Sequence, residues 1–204
     1  MRRLLNIFLL LLMAMAVHAE ELDFSFPVSF QGTEPTIADF VTAVCNREDP
    51  GEWVANFVGE DWERNQKGEQ TKGRFSVNKR KGYMTYVEQD SEDGFVHKGT
   101  SEFRCWRCSD NRHWMVAEAD NFYRDGVAYA GQCSGLSLFL YDADTKRMEM
   151  VYYSDYGMEG PEIDALFVYS LTCKGITGIA NKPDGGKYRV EYMWNGKSFA
   201  KTEQ

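Results

Sequence analysis

Cys105-Trp106-Arg107-Cys108 is the spacing in this chain that most readily suggests chemistry, because two thiols separated by two residues can form a redox couple or half of a zinc site. A redox pair of the thioredoxin kind sits at the amino end of a helix, whose dipole lowers a thiol pKa. Here Ser109-Asp110-Asn111-Arg112 reads instead as a turn between two strands. Residues three apart in an extended strand also face opposite sides. Zinc would need a fourth ligand beyond Cys105, Cys108 and His113, and the nearest cysteine, Cys133, is distant in the chain. Core or disulfide cysteines are therefore the favoured reading.

Other catalytic patterns come close and miss. Gly131-Gln132-Cys133-Ser134-Gly135 is one residue longer than a nucleophile elbow and lies outside any alternation of strands and helices. A Cys133 nucleophile would need His97 or His113 as its base, and both fall in strand or turn patterns. Gly196-Lys197-Ser198 resembles the end of a phosphate loop, but Glu191 stands where the first glycine belongs. Asp142-Ala143-Asp144 lacks the glycine and the distal glutamate of a calcium loop. No metal or cofactor is expected. Glu118 and Asp120 are two apart in a strand pattern and so share a face, as the acids of a glycosidase could. With 31 acids in the chain, such pairs also arise by coincidence.

Trp106, Trp114, Tyr152, Tyr153, Tyr156 and Trp194 are candidates for an aromatic surface on which a sugar or peptide could stack. Core packing competes for the same residues. Strict alternation puts Met148, Met150 and Tyr152 on one side of a strand and Val151 and Tyr153 on the other, so half of the aromatics should be buried whatever the function.

The elements that must position these residues divide the chain in two. Leu22, Phe24 and Phe26 alternate as in a short edge strand ended by Pro27. Thr36, with Asp39 three residues on, caps a helix whose Ile37, Phe40, Val41 and Val44 make one apolar stripe. A second helical piece is expected from Pro50, with Trp53, Val54, Phe57 and Val58 on one side, until Gly59 and the polar stretch Asn65 to Gly68 dissolve the pattern, so that the helical segment spans about 34–67. From Lys72 onward the pattern has period two, broken by turns at Lys79 to Gly82, Ser109 to Arg112, Ala143 to Thr145 and Asn195-Gly196. About nine strands follow, with Ala165 to Thr172 an isolated one. The expected fold is mainly β, α+β at the N-terminus: an antiparallel hairpin meander forming a barrel or a two-layer sheet, with one or two short helices packed on it.

Arg2 and Arg3, the apolar run Leu4 to Val17 and the small residues before Ala19-Glu20 read as a signal peptide, residues 1–19, cleaved before Glu20. The run is too short to favour a spanning helix, and no later segment reads as one. No cysteine follows the cut to take a lipid, which predicts a periplasmic or secreted product. Residues 20–204 then form a single domain with 23 − 2 = 21 basic and 31 acidic residues, a balance that argues against nucleic acid. Lys79-Arg80-Lys81, the one dense basic group, reads as a solvated hairpin tip. Cys45, Cys105, Cys108, Cys133 and Cys173 are candidates for disulfides in such a compartment, and their odd number leaves at least one unpaired.

Taken whole, a capped helix followed by a meander that contains Leu138-Phe139-Leu140-Tyr141-Asp142 and ends in Trp194-Asn195-Gly196-Lys197 resembles uncharacterised exported β-rich proteins of Gram-negative gut bacteria. The resemblance implies the β fold and export and transfers no catalytic residue. The leading expectation is a non-enzymatic envelope or secreted protein whose β surface binds a partner protein, peptide or glycan. The alternatives are an exported hydrolase using Glu118 and Asp120, or an inhibitor of a foreign lysozyme or protease.

Overall fold

A computed structural model of the chain describes residues 25–47, 58–129, 135–155, 167–181 and 185–203. The signal cleavage residues Ala19 and Glu20, Cys133, Tyr156 and the expected helical stretch before Val58 lie outside them, as does the Tyr153 side chain.

A short strand β1 (Ser25–Pro27) precedes helix α1 (Ile37–Cys45). The Thr36 backbone N–H and hydroxyl both donate to Asp39 Oδ2 at 2.7 Å, fixing the first turn as its capping residues predict. The helix buries Ile37, Phe40, Val41 and Val44, its apolar stripe. Helix α2 (Gly59–Gln66) falls within the helical segment expected over about 34–67. Its first turn carries Glu60 and Asp61, which complement the helix dipole, and only Asp61 and Trp62 are buried, so an apolar stripe could not announce it.

The strands form two open antiparallel sheets rather than a barrel. The larger contains β1, β2 (Arg74–Asn78), β3 (Tyr83–Glu92), β4 (Phe95–Arg107), β5 (His113–Arg124), β6 (Val127–Tyr129), β7 (Gly135–Asp142) and β8 (Arg147–Asp155). Its order is β1-β8-β7-β5-β4-β3-β2, with β6 paired to β5. The smaller sheet, in the order β12-β11-β10-β9, contains β9 (Val168–Thr172), β10 (Gly175–Asn181), β11 (Lys187–Trp194) and β12 (Phe199–Glu203). The exposed turn Lys79–Lys81 joins β2 to β3, as its charge predicts.

The larger sheet lies in the middle of the molecule. On one face Met84, Phe103, Val116, Phe139 and Tyr141 pack against α1 and Trp62. On the other, Trp106, Ala117, Ala119 and Leu136 pack against Phe167, Tyr169, Leu171, Ile176 and Val190 of the smaller sheet and the residues leading into it. Alternation along β5 therefore sends Val116, Glu118 and Asp120 toward the helices and Ala117, Ala119 and Asn121 toward the second sheet.

Two expectations are corrected. A bulge at Leu138/Phe139 sets Leu138 opposite Tyr152 but Phe139 opposite Met150. Val151 is the extra residue, so Met148 and Met150 pack on the helix side while Tyr152 packs on the opposite side. Asn195-Gly196 does not make a two-residue turn: the loop runs to Ser198, with Asn195 Oδ1 accepting from the N–H groups of Lys197 and Ser198 at 2.9 Å each.

Candidate functional site

Strand β1 joins the sheet edge through its pairing with β8, Phe26 opposite Met148 and Pro27 opposite Arg147. This pairing sets β1 across from the last turn of α1, and a cleft of about 550 Å³ lies between them. Phe26, Ser29, Thr42, Asn46, Arg47 and Arg147 are among the residues that line it. Arg147 crosses the strand edge and donates to the hydroxyl and the carbonyl of Ser25. In a chain with 31 acids and 23 bases, the described residues of this lining include two guanidinium groups and no carboxyl side chain, thiol or imidazole.

Arg47 connects the cleft to the interior. Its Nη1 donates to Val44 O at 2.9 Å and lies 3.7 Å from Glu118 Oε2, and its guanidinium carbon lies 5.7 Å from the centre of the Phe139 ring. The side chain is only 7% exposed, and its Nη2 is buried without a hydrogen-bond partner. Glu118 Oε2 and Asp120 Oδ1 are also buried without hydrogen-bond partners. The two acids are 3% and 7% exposed. Burial pushes the Glu118 carboxyl above its usual range, with the Arg47 charge opposing the shift. Burial pushes Asp120 higher still, the neighbouring Glu118 adds to the rise, and Ser101 and Arg47 work against it. One arginine thus faces two buried acids, an arrangement that disfavours charge on both.

The polar seam continues across the sheet. Asp120 is paired with Ser101, and Ser101 with Tyr86 on the next strand. The Tyr86 hydroxyl is shared between Asp61 Oδ2 at 2.8 Å and Glu88 Oε2 at 2.7 Å, and burial pushes its pKa far up. Asp61 also accepts from Gly73 N–H at 2.9 Å, tying α2 to the sheet.

Cys108, Asp110 and His113 line a second hollow of about 410 Å³ beside Gly196 and Lys197. His113 Nδ1 is 2.5 Å from Asp110 Oδ2, and its Nε2 lies 3.9 Å from Asp142 Oδ1. The imidazole is thus held between carboxyl groups. Burial and then Asp110 push the Cys108 thiol up, the reverse of what a nucleophile needs. Burial pushes Cys105 up to about 12. Cys105, Cys108 and Cys173 are free thiols, and no three potential metal ligands gather among the described residues.

Of the described aromatic candidates, Trp106 and Trp194 pack together, their ring centres 6.3 Å apart, while Trp114 lies on the opposite face of the sheet. Trp106, 6% exposed, packs edge-on to Phe199 with ring centres 5.3 Å apart, and Trp194 lies 5.0 Å from the same ring. Trp114 lies on the helix side, 6.1 Å from Phe40 and under Arg107, and Tyr152 joins the core between the sheets. Glu118 and Asp120 do share a face, as their spacing predicts. Arg47 and Arg147 were missed from sequence, although an arginine just past a helix C-terminus is a recognisable signal; what it reaches is 71 residues away in the chain.

No helix among the described residues is long and apolar enough to cross a membrane. No protein-family profile, no curated protein and no solved structure matches this chain.

Proposed function

We propose that this is a non-enzymatic binding protein, exported to the cell envelope or beyond, which takes a partner peptide, protein segment or glycan group in the cleft between β1 and α1. The cleft supports this reading: it is of ligand size, and it sets an apolar patch of Phe26, Pro27 and Ala43 among the polar side chains of Ser25, Ser29, Thr42, Asn46, Arg47 and Arg147. Among the described residues, its lining offers hydroxyl groups but no carboxylate or imidazole to activate them. Ser29 is exposed at the cleft, so Ser29→Trp fills it without disturbing the core. Peptide and glycan arrays probed at micromolar protein should give ligands whose retention drops about tenfold or more with Ser29→Trp. Ligands that bind the variant equally well would move the site elsewhere.

A second reading, hydrolysis by Glu118 and Asp120, draws on two raised carboxyls on one face. Their burial opposes it, since a general acid must come within hydrogen-bond reach of the bond it protonates. Turnover of a glycan or ester substrate that is lost in both Glu118→Gln and Asp120→Asn would establish this second reading instead.

A further inference from the structure

The charge around the cleft narrows what it can take, given the binding reading above. Arg47 belongs to two environments: it lines the cleft, yet its Nη1 is drawn inward to Glu118 and its Nη2 donors meet nothing. A buried guanidinium with unused donors is costly, and the cost is recovered in any state that supplies an acceptor. The cleft side is where such an acceptor can arrive. Arg147 contributes a second cation on the facing wall, held in place by Ser25. Opposing this, the final carbonyls of α1 and the carboxyl of Glu118 limit the positive potential, which suits a monoanion better than a dianion. Phe26, Pro27 and Ala43 require an apolar body next to the charge.

We infer that the cleft recognises a small organic carboxylate, a free acid or the carboxyl end of a peptide, and that Arg47 binds it by exchanging Glu118 for the ligand's carboxylate. A planar guanidinium matches a carboxylate with two parallel hydrogen bonds, a geometry that the single 3.7 Å contact to Glu118 does not use. Glu118 is then a positioning residue: it holds Arg47 when the cleft is empty and competes with the ligand for it.

The test is an NMR titration of the full chain, following the amide signals of Thr42, Asn46 and Arg47 with phenylacetate, with its neutral isostere phenylacetamide and with inorganic phosphate. Phenylacetate should shift these signals to saturation and bind about tenfold or more tightly than the amide, with phosphate weaker than phenylacetate. Glu118→Gln should tighten phenylacetate binding about threefold or more, and Arg47→Met should remove the preference for acid over amide. Where Arg47→Met fails to fold, the double variant with Glu118→Gln removes both charges together and serves the same purpose. Equal affinity for acid and amide in the cleft would overturn the carboxylate assignment while leaving the binding reading intact. Tighter phosphate than phenylacetate binding would replace the ligand class. Unchanged or weaker binding in Glu118→Gln would overturn the exchange at Arg47. Shifts confined to residues away from the cleft would overturn the proposal as a whole, leaving the array experiment with Ser29→Trp to judge the binding reading separately.

Discussion

Arg47, Glu118 and Asp120 form a group whose energetics run against those of surface charge. Desolvation raises Glu118 and Asp120, and also Glu102, above the ordinary carboxyl range. Between that range and the raised values, the folded chain holds protons that the unfolded chain has released, so stability is greatest below the window and is lost as pH rises through it. Asp110 and Asp142 are shifted down, chiefly by hydrogen bonds from His113 and from the Asp144 backbone respectively, and their contribution is lost only as pH falls below the ordinary carboxyl value. Thermal midpoints should therefore rise as pH is lowered from about 7 to about 5. The double variant Glu118→Gln, Asp120→Asn should flatten that rise. A wild-type midpoint that instead falls steadily over the same interval would contradict the upward shift of these acids.

At the scale of elements, local signals hold where they set a turn or a cap and fail where a neighbour decides. The Thr36–Asp39 pair starts α1 as its spacing implies, and Asp39→Ala should cost about 1 kcal/mol in urea denaturation. A loss below about 0.3 kcal/mol would mean that tertiary packing alone fixes the helix start. Two hairpins, β3–β4 and β5–β6, turn on Asp93-Gly94 and Asp125-Gly126, with positive φ at all four residues. Asp-Gly is a strong hairpin signal and was legible there. The bulge opposite Val151 was not, because nothing in the β8 sequence marks it; its effect, moving Tyr152 to the other face from Met150, arises from the pairing with β7.

For the whole molecule, the decisive contact joins the two sheets. Asn121 Nδ2 donates to Tyr169 O at 2.9 Å and Tyr169 N–H donates to Asn121 Oδ1 at 2.8 Å, so a side chain completes the free edge of β9 as another strand would. Glu102 Oε2 accepts from Leu171 N–H at 2.7 Å two residues further along. These groups satisfy backbone atoms that packing would otherwise bury without partners. Asn121→Ala should cost about 3 kcal/mol by chemical denaturation, since each buried group left unpaired costs ~1–3 kcal/mol. A loss under about 1 kcal/mol would show that hydrophobic contact alone docks the second sheet.

Period-two alternation, the capped amphipathic helix and the turn residues determined by themselves that the chain is a mainly β meander with a helix on it, because each of these signals acts over a few neighbouring residues. That Glu118 and Asp120 share a face was equally local, since it follows from the pleat. Only the tertiary structure decided that this face lies beneath α1 rather than in water, that Arg47 reaches Glu118 across 71 positions, and that the aromatic residues divide between two cores. Those outcomes depend on which strands become neighbours and on a one-residue bulge that reverses a face, quantities set by long-range packing that no short window of sequence contains.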